Sequence, residues 1–154
     1  EHQEHQEQAG DKLTGYECLD KLNDYRVRIE EQELYIEELK LAISGMTGIS
    51  YDRDSVQTSA PDNPMLNQII KVDDAELTLK ALKQQYANHK IQCIELIHKM
   101  KITNHQTVLR NMYIQGKTIQ ETADVMKLSY DYIRKLHKSA LSEFENIYNS
   151  KVTM

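Results

Sequence analysis

The sequence predicts an all-α protein: a long antiparallel, coiled-coil-like helical hairpin followed by a C-terminal helix-turn-helix domain. Three observations predict it. The 154 residues contain two Pro, five Gly, one Phe and no Trp, and they abound in Leu, Ile, Glu, Lys and Gln, a composition that favours helix throughout. Two long stretches repeat apolar residues about every 3.5 positions, the period of a helix that buries one seam against another helix. Near the C-terminus, two shorter apolar patterns each begin at a hydroxyl residue suited to cap a helix.

Residues 1–10, EHQEHQEQAG, hold one apolar residue, Ala9, and are expected to be a flexible tail. His2 and His5 could bind a metal weakly, but a solvated segment is the simpler reading. Residues 11–101 are expected to form the hairpin, with a linker at 45–64. Its first helix spans about 11–44. Leu22, Ile29, Ile36 and Ile43 recur every seventh residue, and Cys18, Tyr25, Gln32 and Leu39 interleave with them. The outer faces carry Glu30, Glu31, Glu33, Glu37, Glu38 and Lys40. Such a helix is not stable alone, so the seam must be buried. Gly45 is expected to end it. The linker contains both prolines, and loops of that length are commonly functional or mobile.

The second helix is expected over about 64–101. Its seam is Val72, Ala75, Leu79, Leu82, Tyr86, His89, Cys93, Leu96 and Met100, with a further apolar row at Ile70, Leu77, Ile91, Ile94 and Ile97. A seam histidine such as His89 is more often packed and hydrogen-bonded than a ligand or base. The spare row suggests a homodimer, unless the C-terminal domain covers it. If the two helices form a hairpin, facing residues have numbers of constant sum. Cys18 with Cys93, Leu22 with His89, Tyr25 with Tyr86, Ile29 with Leu82, Gln32 with Leu79, Ile36 with Ala75 and Leu39 with Val72 all share one. Cys18 and Cys93 should then lie at one level. The alternative is a parallel dimer in which each helix pairs with its own copy.

Residues 102–150 are expected to form the helix-turn-helix domain. Thr103, Asn104 or His105 can cap a helix through about Ile114, with Gly116 ending it. Thr118 caps the next, to Met126, with Glu121 completing a capping box. A turn at Lys127 and Leu128 leads to a helix capped by Ser129. Ile119, Thr122, Ala123, Met126, Leu128, Ile133, Leu136 and Leu141 supply the core; Leu128, Ile133 and Leu136 are expected to close it. Lys127 stands where a glycine is usual, so the turn either pays for a left-handed lysine or is more open. The free face of the last helix carries Tyr130, Asp131, Arg134, Lys135 and Lys138, residues that can read base edges and touch phosphates from the major groove. Lys117, Thr118 and Ser129 complete the candidate DNA-binding set. The bland alternative is an ordinary helical hairpin with a solvated basic face.

The stretch VLRNMYIQGKTIQETADVMKLSYDYIRKLHKSALSEFE resembles the promoter-reading C-terminal domain of bacterial sigma factors. The pattern Leu109, Tyr113, Gly116, Thr118, Ala123, Ser129, Ile133, His137, Ala140 and Leu141, with the linker GISYDRDSVQTSAPDNPM, is similar to phage-encoded sigma-like regulators of the ArpU and RinA type. Thr122, where isoleucine is usual, and Lys127 depart from the pattern. The resemblance implies a sequence-specific regulator of phage or prophage genes in the cytoplasm of a bacterial host. Its expected partners are double-stranded DNA and host RNA polymerase. The alternatives are a phage DNA-packaging recognition subunit and a sigma-like module that docks on polymerase without reading DNA.

Charge is unevenly shared. Residues 102–154 hold seven Lys+Arg against five Asp+Glu, or +2, leaving −7 of the total −5 on the rest. A basic head on an acidic body suits a DNA binder whose body stays off the DNA. There is no phosphate loop, no His-x-x-x-His or Cys-x-x-Cys, and no nucleophile beside a base, so neither an enzyme nor a cofactor is expected. No apolar run is long enough to span a membrane. Cys18 and Cys93 are too few and too far apart in sequence to suggest a disulfide framework or a zinc site, and are expected to be reduced core thiols.

Overall fold

A computed structural model describes residues 14–47 and 64–152. Among these the protein is all-helical. Five α-helices follow in order: α1 Gly15–Thr47, α2 Pro64–His98, α3 Thr103–Leu109, α4 Ile119–Met126 and α5 Tyr130–Val152, with a π-helical turn, Arg110–Ile114, continuing α3. Among the described residues, no helix is long and apolar enough to cross a membrane. The expected tail at 1–10, with His2 and His5, and the interior of the linker, including its VQTS, lie outside the described residues.

The described residues pack as two units, 25–86 and 14–24 together with 87–152. In the first, α1 and α2 run antiparallel. Ile36, Ile43, Val72 and Ala75 are buried together, with Leu39, Met65 and Leu79 against them. The Tyr25 and Tyr86 ring centroids lie 6.1 Å apart, and Arg26 Nε donates to the Tyr86 hydroxyl at 3.0 Å. Gln32 Nε2 donates to the Ala75 carbonyl at 2.9 Å, which satisfies a polar side chain inside the seam. Lys40–Glu76 at 3.2 Å and Lys83–Glu33 at 3.4 Å flank it on the exposed sides. The constant-sum register holds: Tyr25 meets Tyr86 here, and in the other unit Cys18 Sγ lies 3.8 Å from Cys93 Sγ. The seams are therefore paired within one chain.

In the second unit, Leu19, Leu22, Leu96, Ile97, Met100, Val108, Leu109, Ala123, Ile133, Ala140 and Phe144 are buried. Leu19, beside the seam rather than in it, is fully buried. Gly15 sits where a Cβ would meet the Glu145 backbone at 3.0 Å and the Phe144 ring at 3.2 Å. The start of α1 thus approaches α5 so closely that a larger residue at position 15 would make α5 give way by a few tenths of an ångström.

Helix ends depart from expectation in four places. α1 starts at a capping box: Thr14 Oγ1 accepts from the Glu17 N–H at 3.1 Å, and the Glu17 carboxylate from the Thr14 N–H at 3.2 Å. This T-x-x-E signal was present in the sequence. Gly45 does not end α1, which runs on to Thr47; glycine in a last turn costs only about 1 kcal/mol. α2 ends at His98 rather than Lys101. The α3 cap is Ile102, whose side chain cannot cap, not Thr103, Asn104 or His105. Glu143 of α5 takes the task, accepting from the Lys101 N–H at 2.8 Å and contacting His105 Nδ1 at 2.9 Å.

Candidate nucleic-acid interface

The interface candidates sit on a scaffold fixed at each end by local hydrogen bonds. Thr118 Oγ1 accepts from the Glu121 N–H at 3.1 Å, and the Glu121 side chain reaches back to the Thr118 N–H. That is the capping box expected at α4. Lys127 ends α4 in the left-handed conformation, φ 58° and ψ 42°. The Leu128 N–H bonds the Ala123 carbonyl at 3.0 Å, the 6→1 bond of a Schellman turn. Of the two readings of the turn, the left-handed lysine is the one adopted. Ser129 Oγ then accepts from the Tyr132 N–H at 3.2 Å and caps α5.

Ala123, Ile133 and Val108 form the core beneath, with Met112, Ile119, Met126 and Leu136 packed on it. Thr122 is fully buried, and its hydroxyl donates to the Thr118 carbonyl at 2.8 Å, which satisfies the polar atom inside the core. Leu128 does not close this core. It is 37% exposed, and the buried core beneath is formed without it.

At about 100° per residue, Asp131, Lys135 and Lys138 point opposite Ile133 and Ala140. All three are exposed, as are Tyr130, Arg134, Thr118 and Ser129. Thr118 and Ser129 already spend their hydroxyls as caps. Lys117 is set back: its ammonium donates to Asn111 Oδ1 at 3.0 Å and its N–H to the Asn111 carbonyl at 2.9 Å. Asn111 is itself buried in the π turn, with Nδ2 donating to the Thr107 carbonyl at 2.8 Å. Gly116, at φ 72°, makes the bend that lets the chain return to it and ends the helix as expected. Tyr132, 48% exposed on the flank of α5, was not picked out in the sequence; its position one turn into a capped helix was the available signal.

Behind the face, the Tyr113 hydroxyl donates to His137 Nε2 at 2.7 Å. Burial holds the His137 imidazole below its ordinary range and pushes the Tyr113 phenol up, the latter aided by Tyr16 and Asp20. A neutral histidine accepting from a neutral phenol is the consistent arrangement. Burial raises the Glu143 carboxyl, but the Lys101 N–H and His105 outweigh it and hold the group below the usual range.

The unit contains one further cluster. Cys18 Sγ, His89 Nε2 and Cys93 Sγ lie within 4.8 Å of one another. Both cysteines are free and buried. His89 Nε2 is 2.6 Å from the Cys18 carbonyl. The Cys93 thiol and His89 stabilise charge on Cys18 and lower it, while Cys93, as donor to Cys18 in a buried site, is raised. The two cysteines, 75 residues apart in sequence, lie 3.8 Å apart at one level of the hairpin, as the constant-sum register required.

No family model matches this chain, and no curated protein or solved structure matches it either.

Proposed function

We propose that α5 binds double-stranded DNA in the major groove, and that the protein is a sequence-specific transcriptional regulator of phage or prophage genes. One observation carries the reading. The N-terminal half of α5 is held rigid by the Ser129 cap and by Ile133, while Asp131, Arg134, Lys135 and Lys138 stand together on its exposed side. A recognition helix needs that combination of fixed backbone and free basic side chains. In this reading Tyr130, Asp131 and Arg134 meet base edges, and Lys135 and Lys138 meet phosphates. The sigma-like sequence pattern supplies the expected biological setting.

The test is fluorescence anisotropy on labelled duplexes, first of random sequence and then of phage late promoters. The double variant Arg134→Ala, Lys135→Ala is expected to lose at least about tenfold in affinity. Lys138→Ala should weaken all duplexes alike and lower the salt slope by about one unit. Undiminished binding by the double variant sinks the assignment.

A second reading has its own observation. Val125, Leu128, Tyr130 and Tyr132 are 37–55% exposed within eight residues around the turn. Apolar side chains so grouped suit a protein surface, and host RNA polymerase is the partner the sigma-like pattern implies. Tyr132→Ala reducing polymerase capture without changing DNA affinity would favour this second role. Of the spare row on α2, Ile97 is buried within its own chain, and only Ile70, Leu77, Ile91 and Ile94 stay exposed to support the homodimer; a concentration-independent monomer mass in light scattering counts against it.

A further inference from the structure

We propose that Cys18, His89 and Cys93 hold a zinc(II) ion. The inference is independent of whether α5 binds DNA.

Two of the three separations match that ion, and the third closes to it with a small turn of the His89 ring. Zinc binds thiolate at about 2.3 Å and imidazole at about 2.0–2.1 Å in tetrahedral sites, which places two sulfurs about 3.8 Å apart and sulfur and nitrogen about 3.6 Å apart. Here Cys18 Sγ lies 3.8 Å from Cys93 Sγ and 3.9 Å from His89 Nε2, and the third pair is within 4.8 Å. A disulfide, by contrast, requires the sulfurs to close to about 2.05 Å. Two cysteines and one histidine are also a donor set that selects a thiophilic borderline cation over magnesium or calcium.

The ligands come from rigid positions. Cys18 is in the second turn of α1, directly after the Thr14–Glu17 box; His89 and Cys93 are four apart on α2, and so share one face. Binding balances as follows. Each thiol releases its proton to solvent and forms one sulfur–zinc bond. His89 gives up its 2.6 Å contact with the Cys18 carbonyl, turns Nε2 to the ion and donates that lone pair, its remaining proton resting on Nδ1. Two thiolates, one neutral imidazole and a dication sum to zero charge, which suits a buried site.

Three protein ligands leave a fourth position. A pocket of about 380 Å³ reaches Cys18 and His89 and is bordered by Lys21, Gln92, Tyr148 and Lys151. The fourth ligand therefore comes from solvent. With two lysines at its rim, the pocket favours an anionic one: hydroxide, a carboxylate or a small thiolate.

Titration of the reduced, metal-free full-length protein with cobalt(II) chloride is the test. Sulfur-to-cobalt charge-transfer absorption with tetrahedral d–d bands should saturate at one equivalent per chain and be abolished by added zinc. Cys18→Ser and Cys93→Ser should lose the charge-transfer intensity, and His89→Ala should weaken binding and alter the d–d envelope. Circular dichroism checks that each variant folds. If one does not, the wild type alone decides through its melting temperature, which zinc at 100-fold over its dissociation constant should raise by about 5–10 °C. Absence of both the charge-transfer bands and the thermal shift overturns the proposal. So does a reduced protein that ignores cobalt but forms the Cys18–Cys93 disulfide under mild oxidant, which would make the pair a thiol switch.

Discussion

The α1–α2 unit at 25–86 and the C-terminal helices α3–α5 use opposite means to stay folded. The first relies on one long, shallow seam. Its core of Ile36, Ile43, Val72 and Ala75 is narrow, and Leu34, Leu41 and Leu77 are left 49–65% exposed. The second relies on short elements locked at their ends: two caps, a Schellman turn, a buried asparagine and the Glu143 bracket, all around residues that are 0–1% exposed. A long repeat can dilute its burial over many turns, whereas a helix of eight residues cannot persist without capping and concentrated packing.

That contrast can be broken by substitution. Phe144→Ala, removing a fully buried ring, should cost about 3–5 kcal/mol in denaturant unfolding, whereas Leu77→Ala should change monomer stability by less than about 0.5 kcal/mol. Equal effects would refute the contrast. Gly15→Ala should cost about 1–3 kcal/mol, since the added carbon meets the Glu145 backbone; Gly45→Ala, with open space around it, should stabilise by about 0.5–1 kcal/mol. Thr118→Ala should cost about 1 kcal/mol through loss of the α4 cap. Lys127→Gly should gain up to about 1 kcal/mol by relieving the left-handed lysine.

The smallest effect is in pH. His137 is held below its ordinary range when folded, so the unfolded chain takes up the proton first as pH falls through about 6.5. Its stabilising contribution is complete above that value and declines below it. Wild type should therefore lose stability relative to His137→Gln between pH 7.5 and 5.5. Glu143, also lowered on folding, adds a further loss below about 4.5 as its carboxylate protonates.

The same contrast governs how much the sequence revealed. Local chemistry was legible: Thr118 with Glu121, Ser129, Gly116 and the small Ala123 each announced their roles within a few residues. The pairing of Tyr25 with Tyr86 was legible because two heptad seams constrain each other. Signals that depend on partners distant in sequence were not. Nothing near Ile102 says that Glu143 will cap it. The level shared by Cys18 and Cys93 was legible from the same constant sum, but His89, read as a packed seam residue, was paired with Leu22 and not with the two thiols it adjoins. Leu128 was misplaced because an apolar residue in a two-residue turn gives no periodicity from which its burial can be read. The basic face of α5 was placed correctly on its exposed side by helical phase alone.

The π turn at Arg110–Ile114 carries one residue more than an α-helical turn would use, marked by the Gln115 N–H bonding the Arg110 carbonyl at 2.9 Å. In genetic terms it is a place where the length of the chain is negotiable. Deleting one residue there would let the helix revert to regular winding, at the expense of the Asn111 contacts that hold Lys117. Related chains differing by a single residue between Val108 and Gly116 would then share the fold on both sides of the gap, and differ in how the approach to α4 is tethered.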